Sequence, residues 1–121
     1  MNHHHTLTNN IYSINEVKNE VRRVAEYLCR KMRDKKLVAG YLYFVLRYGN
    51  LRYASGDMHL PSHTNDDRII YESALEILKN FPQPNEHLPA RMFGMTVFDL
   101  HEDSNACNLE LFTKRTHIPF Y

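Results

Sequence analysis

Hydrophobic positions follow a helical period in two stretches of the chain. After Ser13-Ile14-Asn15-Glu16, which has the pattern of a helix-capping box, apolar residues recur every three or four positions and predict a helix with one apolar face. That face comprises Val17, Val21, Val24, Ala25, Leu28 and Met32. A second helix is predicted after Thr64, which would cap it, and before Pro82, which would stop it. Its apolar face comprises Ile70, Ala74, Ile77, Leu78 and Phe81.

A period of two predicts strands around these helices. In residues 38–48, one face would carry Leu42, Phe44 and Leu46, and the opposite face would carry Tyr41, Tyr43, Val45 and Arg47. In residues 90–100, Phe93, Met95 and Val97 would face the helices, and the opposite face would carry Gly94, Thr96 and Phe98. A first strand, ending near His5-Thr6-Leu7, is implied by the family resemblance described below rather than by this period.

Turn residues predict a hairpin after residue 48. Gly49-Asn50 suits a two-residue turn because both residue types tolerate positive φ. Residues 51–58 would then return as a strand, with Arg52 and Ala54 on the same face as Arg47. Leu60-Pro61 would end this strand, because proline cannot donate to a strand ladder.

The resulting order, β-α-β-β-α-β, predicts an α+β domain of the ferredoxin-like layout. Each helix has one apolar stripe, so we expect a single four-stranded sheet with both helices on one face. Residues 1–100 would form this domain. Residues 101–106 are acidic and polar and read as a linker, so residues 101–121 are expected to form a C-terminal tail.

Bulk composition limits the classes of function. A chain of 121 residues fits one domain, and its net charge of +1 argues against binding nucleic acid by bulk electrostatics. Any such binding must depend on where individual Arg and Lys residues lie. No apolar run is long enough to span a membrane, and no secretory signal opens the chain. The two cysteines are too few for a disulfide framework, so we expect a cytoplasmic protein with free thiols.

Titratable residues do not form a catalytic or metal-binding pattern. Asp66 and Asp67 could be a catalytic pair, but they lie at the start of the second predicted helix, where helix capping accounts for both carboxylates. His59 and His63 have the spacing of a helical metal pair, but Pro61 between them argues against a helix. Three adjacent histidines near the start either belong to the first strand, where neighbours point to opposite faces, or are the remnant of a tag: His3, His4 and His5. We expect a non-enzymatic chain without a cofactor.

Residues 46–64, LRYGNLRYASGDMHLPSHT, carry a resemblance to a known family. Leu46-Arg47-Tyr48 before the turn, and Leu60-Pro61 before a helix that opens near Asp66, resemble the little-finger domain of Y-family DNA polymerases, the impB/mucB/samB type. Arg91-Met92-Phe93-Gly94-Met95 is similar to the last strand of that domain.

The resemblance implies a DNA-binding domain of a lesion-bypass polymerase. Such a domain holds the primer-template duplex by backbone contacts, while Mg²⁺ is held in a palm domain that precedes it. This chain alone would not polymerise DNA, and the palm, fingers and thumb of a parent enzyme would be its partners. The residues expected to contact DNA are Arg47 and Arg52, then Arg91 and Lys36, together with Tyr43 and Gly56. Gly56 lies near a position where the family commonly has arginine, and would offer only its backbone N–H.

Residues 108–112 resemble the peptide by which many bacterial polymerases of this family bind the sliding clamp. Leu109, Leu111 and Phe112 match its apolar anchors, and Asn108 replaces the usual glutamine. The alternative is a tail that packs on its own domain.

A different class of function remains open on the same topology. Tyr41, Tyr43, Val45 and Phe98 would make the second sheet face unusually apolar. The alternative is therefore a protein-interaction or dimerisation module that does not bind DNA.

Overall fold

Six elements follow one another in the predicted β-α-β-β-α-β order. The computed structural model describes residues 1–103, with the backbone alone for residues 2–9. The elements are β1 (Asn2–Ile11), α1 (Ile14–Asp34), β2 (Leu37–Tyr48), β3 (Tyr53–Thr64), α2 (Asp67–Leu78) and β4 (Ala90–Glu102). The strands form one antiparallel sheet in the order β1-β4-β2-β3. The predicted fold class is confirmed.

Two β-α-β units are interleaved in this sheet. β1 and β2 both run antiparallel to β4, so they are parallel to each other and β4 lies between them. In the same way, β3 and β4 are parallel and β2 lies between them. Each helix therefore crosses over one intervening strand, as in split β-α-β units.

Both helices pack on the same face of the sheet, where the apolar core lies. The predicted apolar faces of α1 and α2 are buried, and so are the sheet residues Leu42, Phe44, Leu46, Phe93, Met95 and Val97. Phe44 packs between two further rings, with centroid distances of 5.9 Å to Phe81 and 5.7 Å to Phe93. The helical and strand periods in the sequence therefore predicted the core correctly. Within residues 1–103, no helix is both long and apolar enough to cross a membrane.

The caps of both helices differ in detail from the sequence prediction. The Ser13 hydroxyl caps α1, but it accepts from the N–H of Asn15, 3.2 Å away. The N-cap of α2 is Asp66, whose carboxylate accepts from the N–H of Arg68, and the predicted cap Thr64 is wrong. Thr64 is the last residue of β3, and its hydroxyl accepts from the N–H of Asp66.

The hairpin between β2 and β3 has a turn that is one residue longer than predicted. The N–H of Leu51 donates to the carbonyl of Tyr48, and the N–H of Tyr48 donates to the carbonyl of Arg52. Leu51 has φ 70°, so it occupies the left-handed position that closes a three-residue loop. Arg47 consequently pairs with Tyr53. A one-residue change of register reverses every side chain, so the predicted facing of Arg52 and Ala54 beside Arg47 is wrong.

β3 and β4 both extend beyond their predicted ends. β3 continues through Pro61 because it is an edge strand, where a proline can be accommodated. Ala39 pairs with Thr64 while Tyr41 pairs with His59, so β3 has three more residues than β2 in this interval. β4 reaches Glu102, and the first residues of the predicted linker pair with the start of β2.

Candidate nucleic-acid interface

The sheet face opposite the helices, which we call the outer face, consists of short rows of side chains across three strands. Its predicted members from β2 and β4 are confirmed by the strand register. β3 contributes Tyr53, Ser55, Asp57 and His59. The rows, from β4 through β2 to β3, are Phe98-Tyr41-His59, Thr96-Tyr43-Asp57, Gly94-Val45-Ser55 and Met92-Arg47-Tyr53.

One end of the outer face is aromatic. The Tyr41 ring meets His59 edge-on at 4.7 Å and lies 6.2 Å from the Phe98 ring, which is 45% exposed. The Tyr41 hydroxyl donates a hydrogen bond to Asp57, and this bond is the main cause that raises the pKa of Tyr41. The Asp57 carboxylate, although exposed, is therefore engaged by a tyrosine.

Three arginines lie at the other end of the sheet: Arg47, Arg52 and Arg91. We call this end of the sheet the arginine end. The Arg47 guanidinium lies 5.8 Å from the centre of the Tyr53 ring, which is 62% exposed. Arg52 follows the turn and pairs with Tyr48 through its backbone. Arg91 is the extra residue of β4 at a bulge, because Arg47 pairs with Met92 and Tyr48 with Ala90. All three side chains are exposed.

Lys36 lies far from these arginines. It adopts φ 59° in the turn before β2, and its carbonyl accepts from the N–H of Asp103. Because β2 rises about 3.4 Å per residue, roughly 35–40 Å separates Lys36 from Arg47. The structure therefore does not bring Lys36 together with the other predicted DNA contacts.

Gly56 lies on the helix-covered side of the sheet. It pairs with the buried Phe44, and a Cβ at this position would be 2.8 Å from Cγ2 of Ile77. Hydrogen-bonded and non-hydrogen-bonded residue pairs alternate along an antiparallel ladder. Tyr48 and Arg52 form a hydrogen-bonded pair, and Phe44–Gly56 lies four residues away along β2, so it is a hydrogen-bonded pair as well. The Gly56 N–H then points at β2 rather than outward, and the role of Gly56 in DNA binding stays a prediction.

Tyr43 lies in the centre of the outer face and is half-buried. Its neighbours across the sheet are Thr96 and Asp57. Its position agrees with the predicted facing, and its role in DNA binding stays a prediction. The predicted clamp-binding residues Asn108, Leu109, Leu111 and Phe112 lie outside the described residues, and their role also stays a prediction.

A cluster of His63, Asp99 and His101 is a feature that the sequence reasoning missed. His63 Nε2 lies 2.8 Å from Asp99 Oδ2, and His101 Nε2 lies 2.9 Å from Oδ1. Hydrogen bonds from His101 and His63 hold the pKa of the Asp99 carboxyl below its usual value. From the sequence, His63 was considered only together with His59, and Pro61 argued against that pair as a metal site. The available signal was the two-residue spacing of Asp99 and His101, which is typical of residues on one strand face.

Comparison with protein families gives a match over nearly the whole chain. Residues 1–111 match the impB/mucB/samB family C-terminal domain. The chain belongs to this family. The resemblance to the little-finger domain of Y-family DNA polymerases is thereby confirmed. A comparison with curated proteins found no match.

Solved structures of low sequence identity share this fold. The little finger domain of PolIV, in complex with the beta-clamp processivity factor, gives a TM-score of 0.62 at 12% identity, covering 79% of this chain and 84% of that chain. Dbh DNA polymerase in an insertion ternary complex gives a TM-score of 0.65 at 11% sequence identity, and the match covers 84% of this chain and 28% of that chain. DinB from Sulfolobus solfataricus gives a TM-score of 0.59 at 12% sequence identity, and the match covers 78% of this chain and 26% of that chain. The little finger thus spans about a quarter of these two polymerase chains.

Proposed function

We propose that this little finger is a non-catalytic domain of a lesion-bypass DNA polymerase and that its outer face holds the primer-template duplex. The observation that supports the proposal is the arginine end: three exposed arginines lie at one end of the sheet, and Arg47 among them belongs to the face that neither helix covers. Catalytic Mg²⁺ would be held by a palm domain, which together with fingers and thumb completes the enzyme. We propose the cytoplasm as its location.

The shape of the outer face suits a nucleic-acid groove. Strands lie about 4.8 Å apart, so the three strands that form the face span roughly 10–15 Å, which is comparable with the width of about 12 Å of the DNA major groove. Arginines at one end can contact phosphates, which positions a duplex without reading its sequence.

The middle of the outer face is poorly equipped to read bases. Gly94, Val45 and Ser55 form its central row, which contains no Asn, Gln or Arg for bidentate base contacts. Asp57 could accept from cytosine, but it already accepts from Tyr41. Sequence-independent binding is therefore expected, and this would let a damaged template pass.

The proposal is tested by the salt dependence of binding to primer-template duplex. If three phosphates are neutralised, a plot of log affinity against log salt should have a slope of about −2.7. Changing Arg47, Arg52 or Arg91 to glutamine should each make the slope about 0.9 shallower. Fluorescence anisotropy at salt concentrations between about 50 and 200 mM would measure this slope.

Arg30→Gln is the matched control, because Arg30 is exposed on helix α1 and the substitution removes the same charge. Its slope should equal that of the wild type. Lys36→Gln should also leave the slope unchanged, since Lys36 lies at the far end of β2. Binding that is insensitive to salt, or equal losses in Arg30→Gln and Arg47→Gln, would contradict the proposal.

We further propose that residues 108–112 tether the domain to a sliding clamp. Two observations support this: the Leu109, Leu111 and Phe112 anchors in the sequence, and the PolIV little finger, whose structure was solved with the beta-clamp. Titration of a bacterial clamp should show strong loss of affinity for Leu111→Ala/Phe112→Ala. Asn108→Gln should bind more tightly, because the longer amide restores the usual side chain. Equal affinity of all three proteins would remove this proposal.

The aromatic end of the outer face supports one alternative, a dimerisation module. Tyr41 and Phe98 expose apolar surface there, and Val45 adds apolar surface in the central row of the same face. Sedimentation equilibrium separates the two functions. A monomer at micromolar concentration is expected if the face binds DNA, whereas a dimer that Phe98→Ser dissociates would favour the interaction module.

A further inference from the structure

Three metal-ligating side chains meet at the end of the sheet opposite the arginine end. His63 comes from β3, and Asp99 and His101 come from β4. The imidazole nitrogens approach separate oxygens of the same carboxylate, at 2.8 and 2.9 Å. The two rings also lie edge to face, with centroids 4.5 Å apart. One donor atom from each of the three side chains lies within 4.8 Å of the others.

Several backbone features converge on this cluster. β3 and β4 are not neighbours, because β2 lies between them, and Gly40 of β2 separates His63 from Asp99. A Cβ at Gly40 would be 2.6 Å from Asp99 Oδ2 and 2.7 Å from His63 Nε2, so only glycine leaves this space free. Asp99 has φ 58°, a conformation that aspartate tolerates better than most residues. The four residues of β3 between His59 and Thr64, which lie opposite Gly40 alone, include His63.

The donor set has the chemistry of a transition-metal site. Two imidazole nitrogens and one carboxylate suit zinc and neighbouring divalent metals, whereas Mg²⁺ and Ca²⁺ prefer oxygen ligands. Zinc binds such donors at about 2.0–2.2 Å, and the three donor atoms lie within 4.8 Å of one another, so rotation of the side chains would bring all three to one ion. The side chains are 46–59% exposed, so an ion can enter and the imidazoles can rotate.

We propose that His63, Asp99 and His101 bind one zinc-type divalent metal ion. The ion would be bound by Nε2 of each neutral imidazole, whose single proton would then be on Nδ1, and by the Asp99 carboxylate, with water in the remaining coordination positions. It would fasten the end of β3 to the end of β4 across Gly40. This assignment departs from the sequence-based expectation that the chain binds no metal.

The experiment is a zinc titration of the full chain by isothermal calorimetry after treatment with a chelator. His3, His4 and His5 are adjacent in the sequence and can bind metal by themselves, so the reference protein is the His3→Gln/His4→Gln/His5→Gln variant. This variant should bind one equivalent of Zn²⁺, and zinc should raise its melting temperature. Cobalt titration should give visible absorption bands with the same stoichiometry.

Changes at the cluster should then abolish this binding. In the reference background, His63→Ala, His101→Ala and Asp99→Asn should each weaken zinc binding at least about tenfold, since even loss of a residue behind the ligands costs that much. Gly40→Ala should also weaken it, because the methyl group would occupy the space of the cluster. His59→Ala is the matched control, being an exposed histidine of the same strand outside the cluster. It should bind zinc like the reference.

Circular dichroism would check that each variant is folded. If an alanine variant is unfolded, the near-isosteric Asp99→Asn variant tests the role of the cluster in zinc binding. A reference protein that binds no zinc, or full binding retained in His101→Ala and Asp99→Asn, would overturn the proposal. In either case the three side chains form only a hydrogen-bonded cluster.

Discussion

Leu51 adopts φ 70° although it has a branched aliphatic side chain that is 79% exposed. This left-handed residue ends the three-residue turn and fixes the register between β2 and β3. The same register puts Tyr53, rather than Arg52, beside Arg47 on the outer face. One residue in an unfavourable conformation therefore decides which side chains of β3 face outward.

Leu51→Asn should stabilise the domain by roughly 1 kcal/mol, because asparagine adopts the left-handed conformation at lower cost than leucine. Urea unfolding would measure the change in free energy. Leu51→Ala is the control: it removes the exposed side chain but keeps much of the backbone strain, so its gain should be smaller. Equal gains in both variants would show that exposure of leucine, and not backbone strain, is the cause.

Individual side chains were predictable from the sequence where spacing alone determines their position. The alternation of Tyr41, Tyr43, Val45 and Arg47 is an example, since a continuous strand allows only one arrangement. Ala54 was assigned to the wrong face because its facing depends on the φ angle of Leu51, which the residue type does not indicate.

At the scale of elements, α2 approaches the backbone of β3 closely at Gly56. Ile77 Cγ2 occupies the space where a Cβ on Gly56 would lie, at 2.8 Å. A glycine in a strand interior weakens the strand, so its use here reflects the space that the helix requires. The helix thus packs directly on the backbone of the edge strand.

Gly56→Ala should destabilise the domain by about 1–3 kcal/mol, because the added methyl overpacks the contact with Ile77. Ile77→Ala removes that side chain, so the double mutant should lose less than the sum of the two single mutants. Ser55→Ala on the outer face is the control and should change stability by less than about 0.5 kcal/mol. Additive losses in the cycle would contradict a direct clash.

The two helices and strands β2, β3 and β4 were predictable, because their periods and turn residues are clear in the sequence, whereas β1 was expected only from the family resemblance. The ends of β1, β3 and β4 were not predictable. Pro61 normally ends a strand, and only the edge position of β3, which is a property of the whole sheet, accommodates it. The cluster of His63 with Asp99 was unpredictable for a similar reason: the residues are 36 positions apart and meet only through a register that the sequence does not reveal.

At the scale of the whole molecule, Tyr48 connects the hairpin to the loop that follows α2. Its side chain is 2% exposed, and its hydroxyl donates to the carbonyl of Pro82. Burial raises the pKa of Tyr48 above its usual value of 10.0. Folding therefore favours the protonated phenol, so the contribution to stability is complete below pH 10 and is lost as the pH rises through the raised pKa.

Tyr48→Phe should lower the free energy of unfolding by about 1 kcal/mol at neutral pH, because a buried hydrogen bond is removed. The difference from the wild type should shrink at pH 11, where the wild type must bury an ionising group and the variant has none. Urea unfolding at pH 8 and pH 11 measures both effects. Tyr12→Phe, at a tyrosine that is 50% exposed, is the control. A difference that is independent of pH would contradict the assigned cause.

The interleaved strand order also affects how the chain can be synthesised. Asn2 pairs with Thr96, and β4 lies between β1 and β2, so the last strand of residues 1–103 to be translated occupies an inner position in the sheet. While the ribosome is still making residues before 90, β1 has no neighbour and the apolar side of α1 is only partly covered. Contacts of such long sequence separation form slowly and leave apolar surface exposed in the meantime. The nascent domain is consequently most vulnerable to aggregation just before its last strand emerges.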